Sequence, residues 1–103
     1  MNVPTDGFSI DGDHVVFATG EIDLYTAPKL WEALSQLIER GAPELVLDMA
    51  GVEFMDSQGV AVIVRAHKHV QAKGGTVIVR SPRAQVRTVL EVSGVAGLIQ
   101  LEG

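Results

Sequence analysis

The chain has 103 residues, 47 % of them apolar, a formal net charge of −5 and no cysteine, so disulfides and thiolate chemistry are excluded and the cytoplasm is the expected compartment. This length supports one core and one domain, residues 1–103, and the short, well-spaced apolar runs are those of a folded chain. The longest mostly apolar stretch, Val60 to Ala66, is far too short to span a bilayer, and eight scattered Lys and Arg residues supply no basic stripe, which argues against membrane insertion and direct nucleic-acid binding.

Met1 to Asp6 lacks the basic start and apolar core of a secretory signal. Phe8-Ser9-Ile10 and His14 to Thr19 read as two strands around Asp11-Gly12, a short-turn signal for a hairpin. Gly20 to Tyr25 leads into a helix with Thr26 as N-cap and Pro28 in its first turn. Leu30, Trp31, Leu34, Leu37 and Ile38 make one apolar stripe, which Gly41 and Pro43 end. Glu44 to Met49 is too continuously apolar for a half-exposed strand and suits the middle of a covered sheet. A loop from Ala50 to Asp56 follows, then a second helix from Ser57 to Lys73, closed by Gly74-Gly75. Val60, Ile63, Val64 and His67 form its stripe, with Ala61, Val62 and Ala66 making most of the other sides apolar too. Thr76 to Val79 is a buried-type strand, Ser81-Pro82 starts a third helix carrying Val86, Val89 and Leu90 on one face, and Leu98 to Leu101 is a last short strand. The order β-β-α-β-α-β-α-β implies an α/β fold with a small, mostly parallel sheet and right-handed crossovers.

In such folds function gathers at the carboxyl ends of the strands. Two segments qualify, Gly20 to Tyr25 and Ala50 to Asp56, and both carry acids: Glu21, Asp23, Glu53 and Asp56, with Asp48 at the strand end. The most informative run is Phe54-Met55-Asp56-Ser57-Gln58-Gly59-Val60-Ala61, which places the Ser57 hydroxyl on the first turn of a helix. On local chemistry alone Ser57 is either an N-cap or a hydroxyl that another protein modifies. It has no Gly-x-Ser-x-Gly elbow and no histidine placed as its base, since His14, His67 and His69 lie in a strand or far along the second helix. Those histidines also lack metal-ligand spacing, so neither a catalytic residue nor a metal or other cofactor is expected. Asp48 invites comparison with a phosphorylated receiver aspartate, but the acidic pair after the first strand and the late lysine are missing; a sheet-end acid that satisfies loop amides fits better.

Gly20-Glu21-Ile22-Asp23-Leu24-Tyr25-Thr26-Ala27-Pro28, Leu45 to Met49, and Val52 to Gly59 resemble a STAS domain, in particular the bacterial anti-sigma factor antagonists. Val89 to Val95 resembles the end of that family's third helix, so the likeness runs from about Phe8 to Leu101. The resemblance implies a mixed sheet whose first strand is antiparallel to the rest. It further implies that the protein binds an anti-sigma factor that is also a serine kinase of the GHKL ATPase type, and so frees the sigma factor. Phosphorylation of Ser57 would end that binding and a serine phosphatase would restore it. On this pattern Asp56, Gln58, Gly59 and the Asp23 loop border the partner surface, and Glu21, Tyr25, Thr26 and Val62 are expected among its contacts. Gly59 is expected to leave room for a kinase beside the hydroxyl. Two features depart from the family: Gln58 stands where many relatives carry a second Ser or Thr, and relatives commonly continue into a helix beyond the last strand, whereas this sequence ends at Gly103. The competing readings are a non-switching STAS subunit of a transport or sensor assembly, and a small phosphotransfer or nucleotide-binding enzyme.

Overall fold

The computed structural model describes residues 7–103; the reading of Met1 to Asp6 falls outside them. The elements run β1 (Phe8–Asp11), β2 (Val15–Ile22), α1 (Ala27–Glu39), β3 (Glu44–Met55), α2 (Ser57–Gln71), β4 (Thr76–Arg80), α3 (Ala84–Val92), a 3-10 turn (Val95–Gly97) and β5 (Gln100–Glu102). The five strands lie side by side in chain order, β1 antiparallel to β2 and every other neighbour parallel, which is the architecture expected from the sequence. The hairpin is present, but its turn is Gly12 to His14: Asp11 still pairs with Val15 in the strands, and Gly12 has φ +68°, where a β-carbon would clash with its own backbone.

One face of the sheet shares a single apolar core with all three helices. Val16, Ala18 and Ile22 of β2, Leu45, Leu47 and Met49 of β3, and Val77 and Val79 of β4 point into it at every second residue. From the helices come Leu30, Leu34 and Leu37 of α1, Ile63 and Ala66 of α2, and Val86 and Leu90 of α3. On the other face Val15, Val46 and Ile78 stand in register across three strands as a small separate cluster. The next row on that face is Phe17, Asp48 and Arg80, where Arg80 Nε donates to Asp48 Oδ2 at 2.8 Å and the guanidinium lies 5.6 Å from the Phe17 ring centre. Asp48 is not at a strand end as expected but within β3: its Oδ1 accepts at 3.0 Å from the Ala50 amide of the same strand and not from a loop amide, and it makes an ion pair the sequence did not announce.

The largest correction is to β3. The segment from Ala50 to Asp56 is not a loop: the strand runs on to Met55, 12 residues in all, and only Asp56 separates it from α2. Beyond Asp48 it leaves β4 and pairs with β2 alone, through Thr19 with Gly51, Gly20 with Val52, Glu21 with Phe54 and Ile22 with Met55. Two irregularities in the pairing accommodate this, each with one extra residue on β3, opposite Phe17 to Thr19 and Gly20 to Glu21, and β2 likewise continues through to Ile22, where a loop was expected from Gly20. Gly51 is needed here because a β-carbon would fall 2.7 Å from Thr19 Cγ2 on the adjacent strand.

The second correction is a rotation of α2. Its inward face is Gly59, Val62, Ile63, Ala66 and Val70, whereas Val60, Val64 and His67 of the expected stripe are half-buried along the flank. A first turn that is apolar on most sides does not specify its own orientation, and packing against β3 selects it.

Candidate functional site

The site is built where β2 and β3 end together. Ile22 and Met55 are register partners, and the Asp56 amide donates to the Ile22 carbonyl at 3.2 Å. The turn after β2 and the start of α2 are therefore tied side by side, because β2 and β3 are neighbours in the sheet.

Asp23 organises the first of these turns. Its Oδ1 accepts from the amides of Tyr25 at 2.9 Å and Thr26 at 3.1 Å, while its own amide donates to Thr26 Oγ1 at 2.9 Å. The exchange has the reciprocal form of a capping box, and Thr26 Oγ1 donates onward to the Glu21 carbonyl at 2.9 Å. Thr26 occupies the N-cap position of α1 but makes no side-chain capping bond there, so the capping chemistry expected of it belongs to Asp23. Held this way, the turn projects Leu24 and Tyr25 into solvent. Tyr25 is 81 % exposed, so it is not packed over the helix start as a hydrophobic staple would be.

At the second turn Asp56 is the N-cap of α2, its Oδ1 accepting from the Gln58 amide at 2.8 Å. Ser57 is the first helical residue, exposed, and its hydroxyl takes part in no hydrogen bond within the described residues. The cap reading of Ser57 is thereby overturned: the cap is its neighbour, and the Ser57 hydroxyl is exposed and unbonded. Gln58 is exposed beside it.

Gly59 faces the other way. Gly59 is buried, and a β-carbon there would lie 2.5 Å from Met55 Cγ and 2.9 Å from Ile22 Cγ2. The space it creates is for the strand ends behind the helix, not for a kinase in front of it. Val62 is only 9 % exposed and packs in the core, and its remaining surface lines the groove between α1 and α2 beside Gln58.

Ser57 and Gln58 thus stand on a ridge between two shallow apolar grooves. On one side, α1 and α2 frame a groove of about 320 Å³ with Leu24, Pro28, Ala61 and Arg65, floored by Trp31, over whose ring the Arg65 guanidinium sits at 3.9 Å. On the other, α2 and α3 frame a groove of about 350 Å³ lined by Ser57, Val60, Val89 and Val92. Val92 is 83 % exposed. The sequence reading missed Leu24, Trp31, Arg65 and Val92 as site residues. Val92 carried a signal, since it lies off the Val86–Leu90 stripe of α3 and so cannot be core. It also missed Gln85, whose Oε1 accepts from the Met55 amide at 3.0 Å and whose Nε2 donates to the Met55 carbonyl at 3.1 Å.

A two-layer α/β fold that presents an uncommitted serine at a helix start, flanked by apolar grooves, defines the class to which the comparisons point. The family model described as the STAS domain matches residues 9–102. The anti-sigma-B factor antagonist of Bacillus subtilis (strain 168) is 33 % identical over 101 residues, covering 98 % of this chain and 92 % of that protein. The crystal structure of an anti-sigma factor antagonist from Mycobacterium paratuberculosis superposes with a TM-score of 0.77 at 28 % identity, over 96 % of this chain and 88 % of that one. The Bacillus cell fate determinant SpoIIAA in its phosphorylated form shares the fold, with a TM-score of 0.67 at 23 % identity over 91 % and 87 % of the two chains. This chain belongs to the STAS domain family. Among its described residues no helix is long and apolar enough to cross a membrane.

Proposed function

We propose that this chain is an anti-sigma factor antagonist: it binds an anti-sigma factor and frees the sigma factor, and phosphorylation of Ser57 switches that binding off. The observation that carries the reading is the exposed, uncapped hydroxyl of Ser57 on a ridge between two apolar grooves. The names of relatives that match along nearly the whole chain support the antagonist role, and a solved neighbour of the same fold is described in a phosphorylated form. The partner is an anti-sigma factor of the GHKL-type serine kinases, a serine phosphatase reverses the modification, and the exchange takes place in the cytoplasm. Glu21, Asp23, Tyr25, Thr26, Asp56, Gln58 and Val62 border the partner surface; Gly59 supports it from behind.

The physics favours a switch without refolding. A phosphoryl group adds about −1.5 to −2 charge, and a helix start attracts it only through free N–H groups. Here the amides of Gln58, Gly59 and Val60 are already bonded to Asp56, and the Asp56 carboxylate lies next to Ser57. The phosphate therefore stays at the surface, where it repels and desolvates a partner shaped for a neutral hydroxyl.

Incubating the protein with ATP and the candidate kinases of its own genome, followed by phosphopeptide mapping, is the test. Phosphate is expected on Ser57 alone. The Thr26 hydroxyl is tied to the Glu21 carbonyl and Ser81 is half-buried in a left-handed conformation (φ +57°), so neither competes. Phosphate on Thr26 or Ser81 with Ser57 unmodified would overturn the assignment. Tyr25→Ala adds a second check: with its side chain in solvent, the substitution is expected to leave the melting temperature unchanged and to weaken anti-sigma factor binding more than about tenfold, ~1.4 kcal/mol. Normal affinity for that variant would confine the interface to α2 and its flanks.

A further inference from the structure

We propose that Gln85 is a positioning residue for the Ser57 turn, standing in for the strand that β3 lacks at its carboxyl end; the catalytic consequence drawn below rests on Ser57 being the phosphoacceptor. β4 accompanies β3 only as far as Asp48, so from there to Met55 one edge of β3 has no strand partner. The other edge is held by β2. An unpaired peptide at a half-buried edge is unfavourable, and the chain resolves it with α3. Ahead of that helix Arg83 Nε donates to the Ala50 carbonyl at 2.8 Å, and in its first turn Gln85 offers a side-chain amide to Met55.

A primary amide has the same donor and acceptor as a peptide group, and Gln85 uses both, accepting from the Met55 N–H and donating to the Met55 C=O. The next amide in the chain, that of Asp56, is bonded to Ile22 on the opposite edge. Met55 and Asp56 are thus clamped from both sides immediately before Ser57, and Asp56 in turn fixes the Gln58 amide beyond it. The Ser57 hydroxyl makes no hydrogen bond in the described residues, so its placement rests on the backbone that this clamp holds. Gln85 also shares its side of α3 with Val89, which lines the groove beside Ser57. The contact joins residues thirty positions apart in sequence, from two elements that no local pattern connects.

A phosphoacceptor must be held in near-attack geometry, and misplacement by about 1 Å can cost on the order of 100-fold in rate. Loosening the clamp therefore slows phosphoryl transfer more than it weakens docking, which the grooves and Tyr25 dominate.

The test compares Gln85→Leu and Gln85→Glu with the unmodified protein. Leu removes both hydrogen bonds at similar volume, whereas Glu keeps the acceptor for the Met55 N–H and, as a carboxylate, opposes the Met55 C=O. Amide hydrogen exchange of the isolated protein, read by NMR, is expected to quicken at Met55 and Asp56 by about tenfold or more in Gln85→Leu, with α1 amides unchanged. Gln85→Glu is expected to fall between, and to recover protection as pH drops through the ordinary Glu range (about 4.3), where the protonated acid can again donate to Met55. With the kinase that modifies Ser57, kcat for Gln85→Leu is expected to fall about tenfold while KM stays within about twofold. Unchanged exchange at Met55, or a loss of stability with kcat intact, overturns the proposal. If the unmodified protein takes no phosphate on Ser57, the functional reading fails, and the exchange data alone then decide whether Gln85 sets this turn.

Discussion

Ser57→Asp is expected to weaken anti-sigma factor binding by about two orders of magnitude or more, while Ser57→Ala binds at full strength and no longer responds to the kinase. The size follows from placing a charge where the free protein presents a neutral hydroxyl: a cost of ~2–3 kcal/mol from repulsion and desolvation corresponds to about 100-fold in affinity. Asp56 beside it opposes absorption of the new charge within the domain, since its carboxylate repels that charge and the amides of Gln58, Gly59 and Val60 are already bonded to Asp56. Because Asp56 and not Ser57 caps α2, the alanine variant loses no capping bond and its stability is expected to change by less than about 0.5 kcal/mol. Calorimetric titration of both variants against the anti-sigma factor checks this, with thermal unfolding of each as the control for folding. Equal affinities for Asp and Ala at this position would eliminate charge as the switching element and select the non-switching STAS subunit instead.

Gly59→Val is expected to lower the melting temperature by about 10–15 °C. The β-carbon alone would fall within 2.6 Å of both Met55 Cγ and Sδ and within 2.9 Å of Ile22 Cγ2, and Met55 and Ile22 are fully buried with little room to retreat. Overpacking of this kind costs ~1–3 kcal/mol, only partly offset by valine's better helix propensity, and ~2 kcal/mol corresponds to roughly 8–16 °C for a domain this size. The same clash pushes the first turn of α2 away from the strand ends and displaces Ser57, so phosphorylation should slow even where the variant remains folded. Differential scanning calorimetry reads the first effect. An unchanged melting temperature would mean that α2 tolerates a shift at its start and that Gly59 is not what seats it.

The element order, the existence of the first hairpin, the buried character of β3 and β4 and the single apolar stripe of α1 were legible in the residues alone, because each is written in local periodicity or turn chemistry. The sequence also singled out Ser57, Asp56 and Asp23, which share a short motif with the STAS family. It did not determine what those residues do for one another. Ala50-Gly51 reads as a loop because a small residue and a glycine interrupt the apolar run, yet that interruption is what lets β2 come close enough to carry β3 on to Met55. The face of α2 was ambiguous for a related reason: Val60, Ala61, Val62 and Val64 satisfy more than one orientation, and only contact with Met55 and Ile22 makes Gly59 the inward residue. The division of labour between Asp56 as cap and Ser57 as free hydroxyl depends on a one-residue difference in where the helix begins, which propensity does not resolve. Gln85 was invisible altogether. Its two hydrogen bonds to Met55 exist because β4 stops short of the end of β3, and a vacant edge of that kind is a property of the assembled sheet, with no trace in the order of residues that fill it.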